Sequence, residues 1–173
     1  MKQTIGLCAV LMAGLTACST EDKIPTVNAA DYQVTDQASL HVRLQQLDQK
    51  FAQDFQGLKQ QHNTAFSTQK TVTAQDLQQL HMHAVSTTSL KETKEAYCAV
   101  MNGYFSEVYR LGHFNLSHLA NLKLLNVQPQ DAQEDFANPE AFYNLVMDRA
   151  TTYRQAQQTM GFGCNLKAAL QFE

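Results

Sequence analysis

The sequence predicts an all-α domain: a bundle of four to six helices, stapled by a disulfide, after a short flexible tether. Three observations support this fold class. Only 7 Gly and 3 Pro occur in 173 residues and Trp is absent, a composition that favours helices over turn-rich β architecture. Apolar residues recur every three or four positions over most of the chain, which is the spacing of one helix face. Helix-capping residues precede several of these runs.

The first predicted helix runs from about residue 36 to residue 66. Asp36 or Thr35 can cap its start, because a short polar side chain there accepts from the free amides of the first turn. Apolar residues recur along one face of this helix and form a stripe. Such a stripe normally faces the core of the protein, and the alternative is a coiled-coil arm for a partner. Its members are Leu40, Leu44, Leu47, Phe51, Phe55, Leu58 and His62.

The second predicted helix starts at the capping-box-like stretch from Thr73 to Asp76. It places His81 on the apolar face and His83 in solvent. The pair resembles a soft-metal motif, but residues two apart on a helix point about 200° away from each other. We therefore predict no metal site there.

The third predicted helix opens at the capping box Ser89-Leu90-Lys91-Glu92 and ends at Gly112, a credible C-cap. A short fourth helix is predicted from Asn115 or Ser117. Asn138-Pro139-Glu140 combines an N-cap, a proline at the first helical position and an acid in the first turn. The last long helix is predicted to run from there to Gly161.

The stretch Leu15-Thr16-Ala17-Cys18 closes a short apolar run that follows Lys2. It resembles the lipobox of bacterial lipoproteins, in which the cysteine carries diacylglycerol as a thioether and the chain is cleaved before it. The run of 13 residues from Ile5 to Ala17 is shorter than the ~20 that a membrane-spanning helix needs. The alternative is an ordinary secretory signal that is cut after Ala17.

The resemblance implies a signal peptide over residues 1–17, a lipidated N-terminus and tether over 18–34, and a single helical domain over 35–173. A further acyl chain such as palmitate on the new amino terminus makes the membrane attachment permanent, since one chain alone binds only marginally. Ser19, rather than Asp, follows Cys18. In lipoproteins this leaves the chain free to reach the outer membrane, so we expect an anchor on its periplasmic face.

Cys98 and Cys164 remain once Cys8 leaves with the leader and Cys18 takes the lipid. A cysteine pair in an exported domain is most simply a disulfide. By the chain-entropy model, the loop that it closes corresponds to a stabilisation of about 4 kcal/mol. The alternatives are two free buried thiols or a metal-binding pair.

The charge of the chain does not favour nucleic acid as a partner. Residues 18–173 contain 12 basic and 16 acidic side chains, which leaves a net charge of −4 and no Lys/Arg run. No hydrolase motif and no Cys-x-x-Cys-His haem motif occurs either. We predict no catalytic residue and no cofactor.

Tyr109, Arg110 and His113 form the predicted partner-binding surface, because Tyr and Arg are typical anchors of protein interfaces. The sequence therefore favours a non-catalytic interaction module with a periplasmic or outer-membrane protein partner. A pilotin-like escort or a toxin-immunity protein fits that description. The alternative is a helical carrier of a small ligand or a metal ion.

Overall fold

The computed structural model describes residues 24–120, 122, 124–125 and 131–173. Every regular element in this part of the chain is helical, with one isolated antiparallel bridge between Phe66 and Val85, so the predicted all-α class is confirmed. The predicted leader and the predicted lipidation site at Cys18 lie outside the described residues. None of the helices described has both the length and the apolar character that crossing a membrane requires.

The described part of the chain contains six α-helices joined by 3-10 and π-helical segments. In chain order the α-helices are α1 (Gln37–Gln61), α2 (Lys91–His113), α3 (Ala132–Asp135), α4 (Pro139–Asn144), α5 (Tyr153–Met160) and α6 (Leu166–Ala169). A 3-10 segment (Ala74–His83) lies between α1 and α2, a π-helical segment (Leu145–Ala150) follows α4, and single 3-10 turns occur at Ala29–Asp31, Asn63–Ala65 and Leu116–His118.

The antiparallel pair α1 and α2 forms the centre of the bundle. Tyr104, just past the middle of α2, donates to Asp48, near the middle of α1, at 2.8 Å, whereas Thr93 at the start of α2 lies 3.2 Å from His62 at the end of α1. Aromatic side chains fill the interface: the rings of Phe51 and Tyr104 stack at 4.4 Å and those of Phe55 and Tyr97 meet edge-on at 5.6 Å. The predicted apolar stripe of the first helix is therefore a core face.

Two helix starts follow the predicted chemistry. The Asp36 carboxylate accepts from the Ser39 amide at 2.7 Å, and the Asn138 side chain accepts from the Ala141 amide at 2.9 Å. The first helix ends earlier than the predicted position near residue 66, because α1 stops at Gln61 and the chain then makes a 3-10 turn.

The predicted caps of the third helix are wrong at both ends. Leu90, not Ser89, is the N-cap of α2, and no side chain caps it. At the other end α2 continues through Gly112 to His113. Glycine serves a different purpose at position 112: a Cβ there would lie 2.1 Å from Cδ1 of Phe136, so its absence lets that ring pack on the helix.

The predicted second helix is a 3-10 segment with a kink at Gln79, where φ is −128° and ψ is 18°. The Asp76 carboxylate accepts from the backbone and hydroxyl of Thr73 at 3.0 and 2.9 Å, as in the predicted start. The kink rotates the following turn, so the orientations predicted for the two histidines are reversed: His81 is exposed and His83 is buried.

The single helix predicted after Asn138 is also wrong, because Thr151 and Thr152 interrupt it. The chain passes from α4 through the π-helical segment, leaves helical geometry at Thr151 and restarts as α5. Gly161 then ends α5 in the left-handed region at φ 58°, as predicted. The predicted fourth helix reduces to the 3-10 turn Leu116–His118.

The predicted disulfide between Cys98 and Cys164 is confirmed. It ties the middle of α2 to the loop that precedes α6. Two hydrogen bonds reinforce this attachment: Asn102 donates to the Cys164 carbonyl, and the Ser106 hydroxyl donates to the Ala169 carbonyl at 2.8 Å.

Residues 24–34, predicted as part of a flexible tether, lie against the domain. The Val27 amide donates to the Glu173 carbonyl at 2.7 Å and the Glu173 amide donates to the Pro25 carbonyl at 3.1 Å. The buried side chain of Asn115 accepts from the Val34 amide at 2.9 Å and donates to the Tyr32 carbonyl at 2.9 Å. Because the domain satisfies these backbone groups, residues 25–34 pack against it and are not free in solvent.

Candidate partner-binding groove

An apolar groove of about 280 Å³ runs along the surface between α1 and α2. The Phe51 and Tyr104 rings stack at its base, and partly buried Leu47 and Val100 flank them. Ala99 and Gly103 supply the small side of the groove on α2. Lys50, Asp54 and Glu107 complete the lining.

Glycine is responsible for much of this opening. Gly103 lies in the middle of α2, is exposed, and would find no atom within 4 Å of an added Cβ. Gly57 on α1 is equally free of neighbours, and it follows Lys50 by seven residues, which places it on the same side of the helix. A glycine inside a helix costs about 0.5–1 kcal/mol relative to alanine. Contacts within the described chain therefore give no reason for either glycine.

The rim of the groove carries two carboxylates and one ammonium. Lys50 and Asp54 form an exposed ion pair one turn apart on α1. Glu107 on α2 accepts from the Tyr32 hydroxyl at 3.0 Å and from Arg110 at 2.7 Å. The Lys50–Asp54 pair is exposed and contributes only ~0–1 kcal/mol, so an incoming charged group can displace it at little cost.

Tyr104 separates the groove from a second cavity of about 140 Å³. Apolar side chains of α1, α2 and the 3-10 segment line this cavity, together with Leu122, Leu124, Leu125 and the polar residues His41, Gln45, Asp48 and Gln75. Burial raises the pKa of Asp48, although the Tyr104 hydroxyl opposes this by donating to the carboxylate. Burial and that nearby carboxylate raise the pKa of Tyr104 well above its usual value. Tyr104 therefore acts as a neutral donor and Asp48 as its acceptor.

The structure brings together Tyr109, Arg110 and His113, the predicted partner-binding residues, but largely inside the protein. Tyr109 is 1% exposed, and its ring packs on those of Phe142 and Phe172 at 5.1 and 5.8 Å. The side chain of Arg110 is 15% exposed and pairs with Glu107. Arg110 and His113 are each partly exposed, and Arg110 reaches the Glu107 end of the groove.

Lys59 is a buried charged residue that is absent from the predicted site. It is 2% exposed, and its Nζ contacts the Nδ1 of His83, itself 3% exposed, at 3.0 Å. The signal in the sequence was its position four residues after Phe55, which places a lysine on the apolar face of α1. Gly103 in the groove is also absent from the predicted site, because a lone glycine in a helical pattern does not show which surface it faces.

No group of three or more His, Cys, Asp or Glu side chains that could hold a metal ion occurs among the residues described. Comparison of the chain with protein-family models, with curated proteins and with solved structures finds no match. The protein is therefore a disulfide-linked all-α domain with an open apolar groove between α1 and α2, the two longest helices described.

Proposed function

We propose that this protein is an outer-membrane-anchored periplasmic lipoprotein that acts as a non-catalytic interaction module, with the α1–α2 groove as its partner-binding site. The observation that carries the proposal is the open groove with Gly103 on its α2 side, a residue that costs helix stability and that contacts within the described chain do not explain. The lipobox-like residues that end at Cys18 support the membrane anchor.

The groove fits a segment of a periplasmic or outer-membrane protein that presents an apolar face. Small residues on the α2 side let the backbone or a bulky side chain of the partner approach closely, while partly exposed Leu47 and Val100 offer aliphatic contact. The carboxylates of Asp54 and Glu107 suit a partner with a lysine or arginine beside its apolar face. Arg110, which pairs with Glu107, connects the groove to the partner surface predicted from the sequence.

Site-specific photocrosslinking in the source cells tests the groove. A photoreactive phenylalanine analogue at Val100, inside the groove, is expected to capture one defined protein. The same analogue at Gln56, an exposed position on α1 outside the groove lining, is expected to capture none. Adding Gly103→Leu to the Val100 probe fills the groove and should remove the adduct. Equal adducts from both positions, or no adduct from Val100, would contradict the proposal.

Removing the lipid anchor distinguishes the two versions of the proposed function, an escort and a toxin-immunity protein. Cys18→Ala removes the thioether lipid and should move the protein from the membrane fraction to the soluble periplasmic fraction. An escort then fails, because its cargo must be delivered to a membrane, whereas a toxin-blocking protein keeps most of its protection. Membrane fractionation is the first measurement, and delivery of the crosslinked partner is the second.

The second cavity favours the alternative, a carrier of a small ligand. Its volume of about 140 Å³ is near that of cavities that hold a benzene-sized molecule. Asp48 and His41 would orient such a ligand through polar contacts. Native mass spectrometry of the protein purified from its source is the test, since a carrier retains a bound small molecule of defined mass.

A further inference from the structure

The ammonium of Lys59 is fully enclosed by acceptors from another part of the chain. Its Nζ donates to the Thr68 carbonyl at 2.9 Å and to the Lys70 carbonyl at 2.6 Å, and it lies 3.0 Å from Nδ1 of His83. An ammonium has three protons to donate, so these contacts account for all of them. One side chain on α1 thereby holds two separate pieces of the following segment, the loop at 68–70 and the end of the 3-10 segment.

No carboxylate neutralises this charge directly. Lys59 forms no ion pair within the described part of the chain, and Asp76, the acid that acts on it, is engaged with Lys70 and Thr73. The faces of Phe55 and Phe66 lie 5.7 and 5.4 Å from Nζ and supply weak cation–π attraction instead. Hydrogen bonds and ring faces, rather than a direct ion pair, hold the positive charge of Lys59.

The contact between Nζ and Nδ1 works only while one of the two nitrogens has a free lone pair. With Lys59 protonated, His83 accepts through Nδ1 and must be neutral. A second proton would place two cations about 3 Å apart in a buried site. The other charged groups facing the pair are Lys70 and His81, which oppose that proton, and Asp76, which favours it.

We propose that Lys59 and His83 form an acid-sensitive latch, which holds residues 66–83 against α1 at neutral pH and releases them when a second proton enters the pair. Release would affect a defined region. The 3-10 segment buries Leu77 and Leu80, and Leu77 lines the cavity beside Tyr104. The latch stands on these contacts alone, whether or not the α1–α2 groove binds a partner.

The direction of the pH dependence follows from proton linkage. Burial, and then the charge of Lys59, lower the pKa of His83 below its ordinary value of 6.5. The unfolded chain therefore takes up a proton near pH 6.5 while the folded site still resists it. The stabilisation by the latch is complete above pH 6.5 and is lost as the pH falls from there through the lowered pKa of the folded state. Burial also lowers the pKa of Lys59, which limits the charge held in the site.

Hydrogen exchange measured on the full mature protein in detergent, at pH 7.5 and pH 5.0 and corrected for intrinsic exchange rates, tests the latch. Losing a hydrogen bond to a charged group corresponds to about a tenfold rise in local opening, so protection of residues 66–83 should fall by about that factor at the lower pH. Protection of α2 should stay constant. Equal protection of residues 66–83 at both pH values, or an equal loss in α2, would overturn the latch.

Two variants identify the titrating group. His83→Gln keeps an acceptor but cannot take up the proton, so it should remove the pH dependence of residues 66–83. His81→Gln changes the exposed neighbour and should leave that dependence intact. Should His83→Gln fail to fold, the titration of His83 in the unaltered protein, followed by NMR, decides: a midpoint at or above 6.5 overturns the proposal, and a lower one supports it.

Discussion

Gly103 and Gly112 lie nine residues apart in α2, and their surroundings leave opposite amounts of space for a side chain. A Cβ at Gly112 would enter the ring of Phe136, whereas one at Gly103 would enter open space. The sequence alone does not distinguish these two glycines, because each is a small residue within a helical pattern. The difference lies in what packs against each position from elsewhere in the chain.

Alanine at these two positions is therefore expected to have opposite effects. Gly112→Ala should lower the free energy of unfolding by ~1–3 kcal/mol, because the Phe136 ring must move out of a packed site. Gly103→Ala should raise it by ~0.5–1 kcal/mol, because alanine costs less entropy in a helix and meets no neighbour. Urea denaturation measures both. Destabilisation by Gly103→Ala would mean that its site is already filled.

Local chemistry explains which single residues could be predicted from the sequence. The caps Asp36 and Asn138 act within three residues, and the disulfide follows from counting cysteines in a chain whose sequence predicts export. The burial of His83 depends on a kink at Gln79 and on a lysine 24 residues earlier in the chain. A pattern within a few residues of the chain cannot predict a contact between residues that far apart in the sequence.

At the scale of elements, the interruption at Thr151 shows where helical periodicity misleads. Apolar residues continue at helical spacing through positions 142–160, yet the backbone leaves the helix at Thr151. The Thr151 hydroxyl donates to the Val146 carbonyl at 2.7 Å and accepts from the Tyr153 amide at 3.0 Å. A threonine side chain thus replaces two backbone partners, which is how such residues compete with a continuous helix.

Removing that hydroxyl tests its role as the joint between the π-helical segment and α5. Thr151→Ala leaves the Tyr153 amide and the Val146 carbonyl without their buried partner, so we expect a loss of about 1–2 kcal/mol in the free energy of unfolding. Thr151→Ser keeps both hydrogen bonds and should lie within ~0.5 kcal/mol of the unaltered protein. Thermal or urea unfolding gives both values, and similar losses in the two variants would assign the effect to packing instead.

At the scale of the whole molecule, the fold closes by joining the first and last described segments. The rings of Tyr109, His113, Phe114 and Phe172 lie 5.2–5.8 Å from one another in contacting pairs and form one aromatic cluster next to the pairing of residues 25–27 with Glu173. Tyr109 and His113, predicted from the sequence as part of a partner-binding surface, belong to this cluster. They pack on Phe172 near residue 173, a contact that the periodicity within α2 could not reveal.

Deleting residues 171–173 should therefore loosen the start of the domain, far away in sequence. The deletion removes the Phe172 ring and both backbone hydrogen bonds to residues 25–27, while the disulfide at Cys164 stays in place. We expect the Val27 amide to lose its protection from hydrogen exchange and the free energy of unfolding to fall by ~1–3 kcal/mol. Glu173→Ala keeps both backbone contacts and should leave the Val27 amide protected. Retained protection of Val27 in the deletion variant would show that Asn115 alone holds this segment, since it binds Tyr32 and Val34 independently.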